Sequence, residues 1–313
     1  MKGIIEEKIK AVMLGHAVAD ALGVPVEFCS REELEEEPVT KMMGFGTYPV
    51  PEGCWSDDTS MALAALDSLA EGSVDLDKVM LNFGKWYYKD EYTPTNETFD
   101  VGNTCSFAID NYFKAKKSVK ECGLFGERSN GNGSLMRIHP FALMAHFKSM
   151  AFEGWVDLIA RASSLTHAHA RSVLACKIFT VVLFHLLHDP CKDSVRLALK
   201  RAQCHFGEES EFGHFARLVN VDFDKTEKSE IKSTGYVVDT LEAAIWCLLT
   251  TDSYMECVLK AVNLGDDTDT VGAVAGALAG ALYGLDEIPK EWLAQLKRRE
   301  YIEGLCQRAA ENW

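Results

Sequence analysis

The chain has 313 residues, 47% hydrophobic and 25% charged, which supplies apolar material for a sizeable core and argues against disorder. Lys and Arg total 32 against 47 Asp and Glu, a net charge of −15 that makes nucleic acid a poor partner. An anionic substrate would need local help from a metal or from helix N-termini.

Met1–Lys10 is charged and lacks the apolar core of a secretory signal. Val271–Leu285, rich in Gly and Ala, falls short of the roughly 20 residues of a membrane span, so no membrane partner is expected. The 10 cysteines are scattered without a CxxC pair. They read as reduced thiols of a cytoplasmic protein, mostly small core residues.

Apolar residues recur at three- and four-residue steps through Ile5–Leu22, Met61–Leu69, Val79–Tyr87, Phe107–Phe113, Leu158–Ala162, Val173–Leu187, Val238–Leu249 and Tyr254–Val262. Each is predicted helical, and Trp292–Leu305 is predicted as a closing helix. No convincing strand pattern occurs, and no linker divides the chain, so one all-α domain over residues 1–313 is expected. Loops are placed at Glu27–Gly53, Asp90–Phe99, Gly123–Ser134 and Phe206–Thr234. The acidic run Glu32–Glu37 reads as a solvated turn or helix face. Gly15, Ala19 and Gly23 recur every four residues in the first helix, as do Gly272, Gly276, Gly280 and Gly284 in a late one. Interior glycine costs about 1 kcal/mol against alanine, so close packing must offset it. These two helices are predicted to cross near the centre of the domain.

Two acidic clusters precede helices. The first is Cys54-Trp55-Ser56-Asp57-Asp58-Thr59, and the second is Gly265-Asp266-Asp267-Thr268-Asp269-Thr270. Helix capping explains Ser56 and one Asp, or Asp266 and Asp267. Five carboxylates with adjacent hydroxyls exceed what two caps need. If the clusters meet, their repulsion calls for cations, and hard oxygen ligands select Mg²⁺, Mn²⁺ or Ca²⁺. That chemistry fits a magnesium-dependent hydrolase or a diphosphate lyase.

Four further segments carry chemistry-bearing residues. Ser129-Asn130-Gly131-Asn132-Gly133 precedes an apolar segment of helical spacing, and its backbone N–H groups could cradle phosphate or form a plain turn. Thr166-His167-Ala168-His169 precedes a helix; a capping Thr with a half-buried His is the commoner outcome. Asp20 to Phe28 ends a helix at Gly-x-Pro and delivers Glu27 into a loop. Phe99-Asp100-Val101-Gly102-Asn103-Thr104 reads alone as an Asx turn and helix cap.

The order and spacing of these pieces resemble the ADP-ribosylglycohydrolase family from about Ile4 to Gly284. The most specific stretches are Cys54–Asp67, Gly131–Pro140 and Ala261–Gly284. The resemblance implies an all-α orthogonal helical bundle around a dinuclear Mg²⁺ or Mn²⁺ site. It places Ser56, Asp57, Asp58, Asp267, Asp269 and Thr270 as metal ligands and Glu27 as an acid near the metals. It assigns the loop of Ser129, Asn130, Gly131, Asn132 and Gly133 to the ADP-ribose phosphates. His167 matches a ligand-contacting histidine, and Asp100 and Asn103 match residues near the distal ribose. The first ligand motif usually begins with Thr where this chain has Ser56. The usual Gly-Asp of the first helix is here Ala19-Asp20, and the usual Gly-Gly-Asp is Gly265-Asp266-Asp267, whose extra carboxylate could touch a metal directly or indirectly.

The activity implied is metal-dependent hydrolysis at C1 of the distal ribose, with Asp58 and Asp269 orienting a water and Glu27 serving as acid/base or positioning group. The partner is then an ADP-ribosylated protein or a small-molecule ADP-ribose conjugate. Arginine linkage comes first, because the motif spellings resemble the bacterial nitrogenase-reactivating members. Because the family includes lens crystallins, a non-catalytic ADP-ribose binder remains open, as does a magnesium enzyme acting on another diphosphate.

Overall fold

The computed structural model describes residues 2–313, so Met1 of the Met1–Lys10 segment lies outside the described residues. Fourteen α-helices in the described residues, in chain order, are α1 (Lys2–Gly23), α2 (Arg31–Glu36), α3 (Asp57–Leu69), α4 (Leu76–Lys89), α5 (Asn103–Phe113), α6 (His139–Phe147), α7 (Phe152–Ser164), α8 (Ala170–His188), α9 (Lys192–Phe206), α10 (Val237–Leu249), α11 (Tyr254–Val262), α12 (Thr268–Tyr283), α13 (Lys290–Gln295) and α14 (Arg299–Asn312). Among the described residues β pairing is confined to two isolated bridges, Leu124 with His167 and Gly131 with Tyr236. The fold is all-α, as the helical periodicity predicts.

The centre is the α1–α12 pair. A side chain at Gly15 would put its Cβ 2.6 Å from the carbonyl oxygen of Gly276, and one at Gly272 would sit 3.0 Å from that of Ala19. At Gly276 and Gly280 a Cβ would overlap the carbonyls of Gly15 and Ala11. The two backbones therefore touch along the stripe, which offsets the conformational cost of glycine with packing. Gly284 departs from the expected stripe. It ends α12 at φ +90°, with nothing near its Cβ position, and so serves as a C-terminal turn. Tyr254 of α11 is buried and donates to the carbonyl of Gly15 at 2.6 Å, locking a third helix onto the pair.

Three other expectations need correction. The closing helix is two helices, because Arg298 adopts φ +46° and Lys297 N–H turns away to the carbonyl of Gly53. α9 went unanticipated, although Val195, Ala198, Leu199, Ala202 and Phe206 give it a buried face. The Glu27–Gly53 segment carries α2, held by a Ser30–Glu33 capping box. By length and apolar content α1 and α8 could cross a bilayer, but 94% and 78% of their apolar windows are packed inside the protein. Seven of the ten cysteines are buried, and none is paired.

Candidate active site

α12 runs antiparallel to α1: its glycine face lies in the core, and its N-terminus sits over the C-terminal turn of α1. Gly23 makes that possible, since a Cβ there would stand 2.5 Å from both the amide nitrogen of Asp269 and the carbonyl oxygen of Thr268. Thr268 Oγ1 donates to the Gly23 carbonyl at 2.8 Å. The N-terminus of α3 meets the same point. Ser56 caps it, with Oγ accepting from the amide of Asp58 at 3.2 Å and donating to Asp58 Oδ2 at 3.0 Å. Thr270 Oγ1 donates to the same Asp58 Oδ2 at 3.0 Å, so the two acidic clusters meet.

Capping does not explain the second cluster. Asp267 occupies the N-cap position of α12 without a side-chain cap bond. Its Oδ2 accepts from Asn132 Nδ2 at 2.9 Å instead. Asp266 is exposed in the left-handed region at φ +60° and works through its backbone, exchanging hydrogen bonds with Phe28 and Cys29. Its extra carboxylate is therefore turned away from the cluster. Nor does Asp100 form a cap: α5 begins at Gly102 without one, and Asp100 faces the acidic cluster.

Carboxylate oxygens of Asp20, Asp58 and Asp269 lie within 4.8 Å of one another, as do those of Glu27, Asp100 and Asp269. Asp269 belongs to both triads. Four buried carboxylate oxygens have no hydrogen-bond partner: Glu27 Oε2, Asp58 Oδ1, Asp267 Oδ1 and Asp269 Oδ2. Burial first, then the mutual repulsion of the group, pushes Asp57, Asp58 and Asp269 well above the usual carboxylate range. Glu27 is raised to about 8 by burial and by the charges of Asp100 and Asp267. Such orphaned oxygens are what a hard divalent cation would satisfy, and no Cys or His joins either triad to favour a softer metal.

Asp20 is the residue that sequence reasoning left without a role. It is fully buried, and its oxygens accept from the amides of Ser56 (2.9 Å) and Thr59 (3.1 Å) and from the Thr59 hydroxyl (2.6 Å). With both oxygens hydrogen-bonded it clamps the α3 N-terminus to α1 beside Asp57 and Asp58. Tyr48, also passed over, is a phenol close to Glu27 and Asp100, with its ring centre 5.0 Å from that of Phe99 in a tilted arrangement.

A cleft of about 350 Å³ opens over the cluster, its lining including Glu27, Asp57, Asp100, Asn103, Asp267 and Thr270 together with Gly131, Asn132, Gly133 and His167. Ser129 and Asn130 do not line it, and neither do the buried Ser56, Asp58 and Asp269. Asn130 spends its side chain on the carbonyl of Glu127 and on the Ser172 hydroxyl, which shapes the loop. The Asn132 amide is likewise spent on the carbonyl of Gly235. The expected cap at Thr166 is displaced to His169, whose Nδ1 accepts from the amide of Arg171 at 3.1 Å.

A family model for ADP-ribosylglycohydrolase matches residues 1–313. The chain belongs to the ADP-ribosylglycohydrolase family, and it is an enzyme of the hydrolytic class. It is 32% identical over 303 residues to the ADP-ribosylarginine hydrolase Tri1 of Serratia proteamaculans, covering 96% of this chain and 78% of that one. It is also 32% identical to the ADP-ribosyl-[dinitrogen reductase] glycohydrolase of Rhodospirillum rubrum, covering 93% and 91%. A solved structure titled ADP-ribosylglycohydrolase-related protein complex superposes with a TM-score of 0.82 at 30% identity, covering 99% of both chains. The fold and family read from the sequence are thus borne out.

Proposed function

We propose that the protein, acting as one domain in the cytoplasm, hydrolyses the bond between C1 of the distal ribose of ADP-ribose and an acceptor on a protein or small molecule. Arginine is the first acceptor, with two Mg²⁺ or Mn²⁺ ions as cofactor. The observation that carries this reading is the set of four orphaned carboxylate oxygens, two of them on residues that line a cleft shared with a Gly/Asn loop and two on the fully buried Asp58 and Asp269 of the same cluster. Asp57, Asp58, Asp267, Asp269, Thr270 and Ser56 would hold the cations, and the position of Asp269 between Asp58 on one hand and Glu27 and Asp100 on the other suits a pair of them. When bound, they supply Lewis-acid polarisation and a water of lowered pKa.

The chain's own groups do the rest. Asp58 and Asp269 orient the attacking water. Glu27 is able to carry a proton near neutral pH and to pass it between water and leaving group. Asp100 and Asn103 line the end of the cleft where the distal ribose would sit, while Gly131, Asn132, Gly133 and His167 form the wall facing the diphosphate. The names of the more similar relatives support arginine: two ADP-ribosylarginine hydrolases match at 32% and 31% identity, whereas a bovine ADP-ribosylhydrolase ARH3 matches at 23%. The test is incubation with ADP-ribosyl-arginine and ADP-ribosyl-serine, with and without Mg²⁺. Metal-dependent release of free ADP-ribose, faster from arginine, is expected. Faster release from serine overturns the acceptor choice, and no release from either overturns the activity.

A further inference from the structure

Behind His167 runs a chain of polar groups that the reaction above does not use. Arg137 is fully buried, and among the described residues no carboxylate pairs with it. Its Nη1 donates to the carbonyl of Ala162 at 3.2 Å and its Nη2 to Thr166 Oγ1 at 2.7 Å, with the guanidinium 4.8 Å from the Phe83 ring centre. Thr166 Oγ1 in turn lies 2.9 Å from Nδ1 of His167, and both residues are buried. The His167 backbone is held as well, its amide donating to the Ser163 carbonyl and its carbonyl accepting from the Ser163 hydroxyl, both at 2.9 Å.

A guanidinium only donates, so the Thr166 oxygen is its acceptor, and the single hydroxyl proton must be given elsewhere. The acceptor within hydrogen-bond distance is His167 Nδ1, while the nearby Cys105 thiol donates to the carbonyl of Gly133. The hydroxyl proton therefore points to Nδ1. A ring nitrogen that accepts is bare, and the proton of a neutral imidazole then resides on Nε2. Burial and the Arg137 charge hold the ring neutral, pushed down to about 3. Nε2 faces the loop: a Cβ at Gly131 would stand 3.6 Å from it, and one at Gly133 would stand 3.4 Å away.

We propose that Arg137 and Thr166 are positioning residues that fix His167 as its Nε2–H tautomer and so aim one N–H donor at an oxygen of the bound ADP-ribose. The last clause rests on the reading of the cleft as an ADP-ribose site; the relay itself does not.

Histidine-selective ¹⁵N labelling reports the tautomer directly by long-range proton–nitrogen correlation, with His167→Gln identifying the resonance. The full-length wild-type protein should show a protonated Nε2 and a bare Nδ1 at His167. In Thr166→Val the second tautomer should appear, and affinity for ADP-ribose by calorimetry should fall about tenfold, the worth of one hydrogen bond to a charged oxygen. Thr166→Ser should restore both. A wild-type ring protonated at Nδ1 overturns the proposal without need of any variant. So does a Thr166→Val protein with wild-type tautomer and affinity. Failure of wild type to bind ADP-ribose removes the cleft reading alone, since the spectrum still decides the relay.

Discussion

Asp269→Asn separates a metal centre from a pair of helix caps. Asp269 is buried and shared by two carboxylate triads whose oxygens lie within 4.8 Å of one another. At that spacing, two ionised carboxylates repel by about 3.5 kcal/mol at an effective dielectric of roughly 20. Protonation relieves part of this without metal, as the raised carboxyl groups indicate, which leaves a gain on the order of 1 kcal/mol from removing one charge. The variant keeps the useful contact. Asp269 Oδ1 accepts from the amide of Thr270 at 2.8 Å, and an asparagine oxygen does the same. The orphaned Oδ2 becomes an amide NH₂, a donor within a cluster of carboxylate acceptors. In EDTA, Asp269→Asn should therefore melt at or above the wild-type temperature.

Divalent metal reverses the order. A ligand at a hundred times its dissociation constant stabilises a folded protein by about 2.7 kcal/mol. Because both triads lose a charged ligand together, the variant should forfeit most of that gain and nearly all activity. Capping alone predicts a loss of about 1 kcal/mol or less, the same with and without metal. Thermal melts of both proteins in EDTA and in excess Mg²⁺ decide it. Equal Mg²⁺ shifts in the two proteins would refute the reasoning.

Gly131→Val should abolish most ADP-ribose binding in calorimetry while moving the melting temperature little, because a Cβ there meets only ordinary contacts at 3.6 Å. Glycine-to-alanine changes should have opposite signs at two helical sites. Gly276→Ala forces the α1 and α12 backbones apart and should cost about 1–3 kcal/mol in denaturant melts. Gly304→Ala, exposed in α14 with open space at its Cβ, should gain about 0.5–1 kcal/mol from helix propensity. Asp266→Gly should change stability by about 1 kcal/mol or less and leave the Mg²⁺-induced shift in melting temperature intact, since only the left-handed backbone of that residue is used.

What was legible followed from local pattern. Small residues at every fourth position of two helices have one packing use, and the two backbones do touch there. Acidic residues in excess of capping needs pointed to convergence, and Thr270 does reach Asp58. The misses were non-local. Asp20 looks like any acid near a helix end until the amides of Ser56 and Thr59, 36 and 39 residues away, are seen to close on it. An aspartate in the otherwise apolar last turns of α1 was the available signal. The break at Leu296–Arg298 has no Gly or Pro to announce it; the approach of Gly53 imposes it. α9 was masked by charged residues between its apolar positions, although the spacing was present.

The α1–α12 packing and the acidic cluster are coupled, and pH exposes the coupling. The glycine stripe brings the end of α1 so close to the start of α12 that Asp20, Asp58 and Asp269 are forced together, so the folded chain bears a repulsion the unfolded chain does not. In the metal-free protein burial, with the charges of Asp100 and Asp267 adding to it, holds Glu27 up to about 8, and burial alone holds Asp20 up to about 7. A carboxyl raised on folding binds its proton more tightly in the native state. Its contribution is fully present below the unfolded value near 4 and is lost as pH rises through the folded value. Between pH 5 and 8 in EDTA, the melting temperature should therefore fall. Excess Mg²⁺ should flatten or reverse that slope, because cations bind the ionised cluster and favour its deprotonation. Glu27→Gln removes one of the two groups and should make the EDTA profile shallower. A wild-type profile that rises from pH 5 to 8 in EDTA would mean that these carboxyls are not buried as described, and one that Mg²⁺ leaves unchanged would mean that the cluster does not bind the cation.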